Sequence, residues 1–296
     1  MPYVLDRRDL RWVMSLPPFF AEFVGAEMLV ARFRTDPAIL GEIIPRPLRP
    51  AREPLCLAFV ARYPETNFGV SYHEGALLVD ATYRGELGMY CLAMPVDVDV
   101  AMIEGRETLG YPKKMADAIA LEVEGQHVVG RVDRRGTTIL QIEGTLGDER
   151  EMEPTDLLRG AEDLEGGRCL VGTFWLFKYT RSATTAGFES APRLVREPVI
   201  SRPRAGVRDA SVDLQLNSSA TDPLGDVPVI DVVDAWYGTF DNTMLPGRTV
   251  RRVRNILRFA PSAFARYDAF ALMERARLPS RSALEKLRLR RKLKRY

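Results

Sequence analysis

The sequence predicts an α+β fold, mostly antiparallel β, with a helical extension at its C-terminal end. Short turns separate alternating apolar runs: Arg84-Gly-Glu-Leu-Gly88 lies between Ala76–Tyr83 and Met89–Met94, and Asp133-Arg-Arg-Gly136 lies between Val128–Val132 and Thr137–Glu143. Strands joined this closely pair antiparallel, because a parallel crossover needs a dozen or more residues. No Rossmann-type strand–helix alternation and no Gly-rich phosphate loop occurs, which argues against a nucleotide cofactor. Composition is that of a globular chain, with 46% apolar and 28% charged residues, and excludes global disorder.

Taken in order, residues 1–25 carry Leu16-Pro17-Pro18-Phe19-Phe20, and the double proline predicts an extended arm over the body rather than a helix. Glu27–Phe33 alternates loosely and reads as a strand. Thr35-Asp36-Pro37 then opens a short helix, with a capping residue, a proline in the first turn, and Ile39, Leu40, Ile43 and Ile44 at helical spacing. Pro45, Pro47 and Pro50 end it. Leu55, Leu57 and Phe59 alternate as a strand ahead of the two hairpins. Residues 145–168 are acidic and Gly-rich and read as a loop. Thr173–Tyr179 reads as an aromatic strand, 181–208 as a Pro/Arg-rich connection, and Val229–Phe240 as an alternating strand. Pro261–Met273 suits an amphipathic helix.

The 296 residues fit one large domain or two ordinary ones, and neither an internal repeat nor a second domain is visible. We therefore assign 1–250 to a single domain and 251–296 to a helical, basic extension. Within 281–296 eight Lys/Arg face one acid, Glu285, and Leu284, Leu287, Leu289 and Leu293 are interleaved with them. Such a tail is either a solvated terminal helix or a contact for a subunit or an anionic surface. Nothing else in the chain forms a basic recognition element, so nucleic acid is not expected as a partner. The three cysteines are widely spaced, which predicts buried thiols rather than disulfides or zinc, and two histidines do not make a His-rich metal site. No apolar run reaches the length of a membrane span and residues 1–11 lack a signal pattern, so a cytoplasmic protein is expected.

The chemistry is concentrated in Glu104-Gly-Arg-Glu-Thr-Leu-Gly-Tyr-Pro-Lys-Lys-Met115. A bare Lys-Lys pair is ordinarily a solvated turn. Here apolar runs flank it, and Pro112 stiffens the backbone entering it. A lysine held in an apolar pocket or beside another cation loses part of its preference for the charged form, and its free amine attacks ketones.

The run Gly105-Arg106-Glu107, then Tyr111-Pro112-Lys113-Lys114, resembles the Schiff-base lysine motif of the acetoacetate decarboxylase family. Arg34-Thr35-Asp36-Pro37 with Ile44-Pro45-Arg46-Pro47-Leu48, and Asp222-Pro-Leu-Gly-Asp-Val-Pro-Val229, resemble that family's N-terminal and C-terminal segments, so the likeness spans about residues 25–246. It implies a closed or cone-shaped β-barrel, a homo-oligomer, and a cofactor-independent lyase. Lys113 would form an imine with a keto acid or ketone, in the mode of activation known from acetoacetate decarboxylase itself. Lys114 either repels the charge of Lys113 or, if the segment is a strand, points away and pairs with an acid such as Asp117. Glu74 falls where the family carries a pocket glutamate; otherwise it is a surface residue of the Tyr72-His73-Glu74-Gly75 turn. Glu27, Arg106 and Glu107 are supporting residues, and His73 reads as structural.

Two departures bear on the substrate. The family's first-strand arginine falls on Ala26, and a second pocket acid falls on Phe59. Arg32 shares the face of Ala26 but lies six residues on, about 20 Å along a strand. The pocket is then less polar and suits a larger or less acidic carbonyl compound. Decarboxylation of a β-keto acid is the first reading. A Schiff-base aldolase, dehydratase or cyclase is the second, and a non-catalytic binder of an apolar carbonyl ligand the third.

Overall fold

The structure, a computed structural model, describes residues 4–15, 20–152, 160–164, 167–183 and 187–268. In chain order the elements are α1 (Arg7–Ser15), β1 (Ala21–Arg34), α2 (Pro37–Ile43), β2 (Leu55–Tyr63), β3 (Tyr72–Tyr83), β4 (Glu86–Val96), α3 (Asp99–Glu104), β5 (Lys113–Met115), β6 (Ala118–Glu124) and β7 (His127–Arg134). They continue with β8 (Thr137–Arg150), β9 (Gly160–Leu164), β10 (Gly167–Lys178), β11 (Arg193–Pro203), β12 (Val207–Leu216), β13 (Asp231–Met244), β14 (Arg248–Arg252) and α4 (Ile256–Ala263).

Seven strands close a barrel in the order β11–β10–β4–β3–β2–β1–β13, and a β13–β11 pairing completes the ring. All ring pairings are antiparallel except β4–β10, where Phe174 pairs with Met89 and Trp175 with Tyr90. The antiparallel, barrel-forming expectation therefore holds. Off β13 the sheet continues through β12, β8, β7 and β6, and this second layer folds back over the outside of β1, β2 and β3.

Side-chain alternation sorts the apolar residues into two cores. One fills the barrel, with Ala26, Met28 and Val30 of β1 against Phe59, Tyr72, Ala76, Met94 and Tyr111. The other lies between barrel and outer layer, with Leu29, Ala31, Val60 and Val79 against Val128, Val132 and Ile142. Because both faces of β2 are covered, Cys56, Ala58 and Val60 are as buried as Leu57 and Phe59. Such a strand reads as a continuous apolar run, and its alternation is weak.

Several expectations are corrected. Residues 7–15 form a helix, not an extended arm: the Asp6 carboxylate accepts the backbone N–H groups of Arg8 (2.7 Å) and Asp9 (2.8 Å), which caps the first turn. The double proline lies outside the described residues. The described residues of 145–168 are largely strand, because β8 runs on to Arg150 and β9 pairs with β10. The connection read at 181–208 contains β11 and the start of β12. Its prolines obscured the alternation, yet Val195, Glu197, Val199 and Ser201 all face inward. The C-terminal helix starts at Ile256, capped by Asn255, and carries Pro261 in its interior. Residues 269–273 of the expected helix and the whole basic tail 281–296 lie outside the described residues. Among the described residues no helix is long and apolar enough to cross a membrane.

Candidate active site

Lys113 opens β5, which pairs in parallel with the end of β4, Met94 opposite Lys113 and Pro95 opposite Lys114. The chain reaches it through a π-helical turn, Gly105–Leu109, that follows α3. Such turns recur at functional sites. Gly110 closes it with φ 100°, and the N–H groups of Gly110 and Tyr111 both reach the Gly105 carbonyl, at 2.9 and 3.0 Å. A side chain at Gly110 would meet the backbone of Lys178 at 2.7 Å, so both conformation and space require glycine there.

This geometry turns Lys113 into the barrel and Lys114 out of it. The Lys113 amine is 2.8 Å from Glu74 Oε2, with the two side chains 8% and 2% exposed. The Tyr72 and Tyr111 rings flank the amine, with centroids at 5.3 and 5.7 Å. Glu74 belongs to β3, not to a turn, and accepts the hydroxyls of Tyr63 (3.4 Å) and Tyr72 (3.3 Å). Burial and then the charge of Glu74 hold both phenols well above their ordinary range, so they remain donors. Gly105 forms the floor under the lysine: a Cβ there would stand 2.8 Å from Lys113 Cδ and 2.9 Å from Cε. Arg106 donates to the Lys113 carbonyl at 2.8 Å. The first half of the motif thus seats the second.

Lys114 does not pair with Asp117, whose carboxylate accepts the Gly136 N–H instead. It donates to the Thr221 carbonyl (2.7 Å) and to Asp222 (2.9 Å), and it lies 3.0 Å from Asp268. Arg134 bonds the same two carboxylates. Asp222 opens the downstream Pro-Leu…Pro-Val phrase, so the two matched segments meet at this ion cluster. An apolar recess of about 340 Å³, lined in part by Leu77, Leu92, Ala93 and Lys114, lies on this outer side of the sheet.

The other sequence-stretch candidates stand apart from the amine. Glu27 contacts Arg62 and the Tyr237 hydroxyl, both at 3.5 Å, and Glu107 is exposed. His73 Nδ1 is 2.8 Å from Asp97. Ala26 and Phe59 do face the barrel core, and Arg32 is bound to Asp80 at 2.8 Å.

Sequence reasoning missed Glu197 of β11. It is fully buried on the inward face opposite Phe174, and its Oε2 accepts the Tyr111 hydroxyl. Its Oε1 is buried without a partner. Burial pushes its carboxyl up to about 8, and the Tyr111 hydrogen bond and the charge of Lys113 offset only part of that. The signal was one acid on the inward parity of Val195, Val199 and Ser201.

The sequence model of the family described as Acetoacetate decarboxylase (ADC) matches residues 7–253. A curated acetoacetate decarboxylase of Burkholderia cenocepacia is 30% identical over 228 residues, which cover 77% of this chain and 87% of that protein. Among solved structures, acetoacetate decarboxylase from Legionella pneumophila superposes with a TM-score of 0.71 at 20% identity, covering 85% of this chain and 98% of that one. The enduracididine biosynthesis enzyme MppR, complexed with the condensation product of pyruvate and imidazole 4-carboxaldehyde, superposes with a TM-score of 0.64 at 17% identity, over 79% and 90% of the two chains. These two likenesses are likenesses of fold.

Proposed function

This chain belongs to the acetoacetate decarboxylase family, and on that premise we propose that it decarboxylates a β-keto acid through an imine on Lys113. The observation that carries the reading is the buried Lys113–Glu74 pair inside the barrel. Glu74 accepts a proton from the lysine and frees the amine. The amine attacks the ketone carbon, and the carbonyl oxygen leaves as water. The protonated imine then accepts the electron pair of the breaking bond to the carboxylate. Carbon dioxide departs and an enamine remains. The Tyr72 and Tyr111 rings stabilise the iminium cation that the amine becomes.

A Schiff-base aldolase, dehydratase or cyclase acting on a keto acid is the second reading, supported by the inward-facing Ala26 and Phe59. Arg32 is committed to Asp80, so β1 offers the substrate carboxylate no arginine from either position. The condensation product bound to MppR is consistent with such chemistry on this fold.

Borohydride trapping tests the reading. The protein is incubated in turn with acetoacetate, pyruvate and a longer β-keto acid, reduced, digested and weighed by peptide. A stable adduct on Lys113 is expected, and its mass reports whether carbon dioxide has left. Folded protein that traps no carbonyl compound would instead favour a non-catalytic binder.

A second expectation concerns Gly105→Ala. The three atoms nearest to an added methyl all belong to the flexible end of Lys113, so the fold is expected to survive. The amine must shift away from Glu74, and misplacement by about 1 Å costs on the order of 10²-fold in rate. Slow trapping by protein that still folds and melts cooperatively would bear this out.

A further inference from the structure

We propose that Glu197 is the acid–base group that carries the proton to and from the carbon next to the Lys113 imine. The inference rests on the imine reading above and adds the step which that reading leaves open. An enamine formed by loss of carbon dioxide must gain a proton at carbon before the imine is hydrolysed. Glu74 is ill placed to be the only donor, because its two oxygens are held by Lys113, Tyr63 and Tyr72.

Glu197 meets the requirements of a donor. Its side chain points into the barrel, and the charges of both Lys113 and Glu74 act on it. Tyr111 bridges the two sides of the site: its ring flanks the lysine amine, and its hydroxyl holds Glu197 Oε2. That leaves Oε1, buried and unpartnered, as the free end. An unmet polar group inside a protein is costly, and a catalytic role is one reason for a fold to carry it. The titratable groups facing it are Tyr111 ahead of β5, Lys113 on β5, Glu74 on β3 and Cys91 on β4. Burial keeps Tyr111 and Cys91 un-ionised well above neutral pH, so neither competes as a base there.

The step balances without a further reactant. The π pair of the enamine forms the new C–H bond with the Glu197 proton, and the O–H pair stays on the carboxylate. The nitrogen lone pair completes the iminium. Water then adds to the iminium carbon, and Glu197 recovers a proton from solvent as the imine is hydrolysed. At neutral pH the carboxyl is mostly protonated, which suits an enamine generated by C–C cleavage better than one generated by deprotonation.

The test uses the whole protein with acetone and 2-pentanone in deuterium oxide. Borohydride trapping reports imine formation, and NMR reports α-hydrogen exchange, expressed per trapped enzyme. Glu197→Gln is expected to trap within about threefold of the parent and to lose on the order of 10²-fold in exchange. In the parent, exchange per adduct should rise with pH through about 8, because the ionised carboxylate must take the α-hydrogen. Tyr111→Phe keeps the acid and removes the bond that lowers its pKa, so the midpoint should move to higher pH. A structural role alone would not move that midpoint. Glu197→Gln that traps and exchanges like the parent overturns the inference and leaves the imine reading standing. If Glu197→Gln does not fold, an unmoved midpoint in Tyr111→Phe overturns it. No trapping in the parent overturns the imine reading itself.

Discussion

Lys113→Ala is expected to lower turnover by a factor on the order of 10⁴ or more, because the covalent route has no substitute nucleophile. The same change should also weaken the fold. Glu74 is 1% exposed, and the lysine is the cation paired with it at 2.8 Å. Removing one partner of a buried ion pair costs about 3–5 kcal/mol, since the charge left behind is uncompensated. Low activity in the single variant is therefore ambiguous until the folded fraction is measured. Two companions separate the effects. Lys113→Ala combined with Glu74→Gln removes both charges and should recover much of the stability with no recovery of turnover. Lys113→Arg keeps a cation beside Glu74, but a guanidinium does not deprotonate and forms no imine. Urea melts of the set, read beside turnover, check the expectation. Folded Lys113→Ala with more than about a tenth of parental turnover would remove the lysine from the mechanism.

The site was legible where local chemistry dictates residue type. Pro112, the two lysines and the glycines around them are adjacent in sequence, and the motif shows itself in one reading. Glu74 was reached only through family resemblance. Its burial follows from the closure of β3 against β2 and β4, which no local pattern encodes. Glu197 was hidden for a related reason. Strand β11 carries prolines and arginines at half-buried positions between its inward residues, and those residues mask the inward parity. The hairpins were readable because their turns are short, whereas the parallel β4–β10 pairing joins residues about 85 apart, Phe174 with Met89. The partner of Lys114 was misread as Asp117 for the same cause. Asp222 is 108 residues away and is brought in by the packing of the downstream segment.

Asp222→Ala carries the largest expected effect on stability outside the barrel. The side chains of Lys114 and Arg134 are 12% and 5% exposed, and both bond Asp222. Asp268 would remain, but one carboxylate would then face two buried cations, and a loss of about 3–5 kcal/mol is expected. Burial alone would raise the Asp222 carboxyl. The Thr221 hydrogen bond and the charges and bonds of Lys114 and Arg134 outweigh that and hold it below the ordinary range. Asp268 is held low in the same way, its burial outweighed by Arg134 and Lys114. A carboxyl lowered in the folded state stabilises the fold above its unfolded value of about 3.9, and that contribution disappears as pH falls through the folded value. The stability gap between parent and Asp222→Ala should therefore be constant from about pH 7 to 5 and shrink below about pH 4. Urea midpoints across that range measure it, and a gap that stays constant to pH 2 would show that lost packing, not charge, sets the difference. The consequence reaches the amine as well. β5 is three residues long, so the anchoring of Lys114 on one face fixes the direction of Lys113 on the other. If Lys114 acts through anchoring, Asp222→Ala should slow trapping at Lys113 even though the charge of Lys114 is retained. If it acts by repelling charge from Lys113, freeing that charge from its carboxylate should speed trapping.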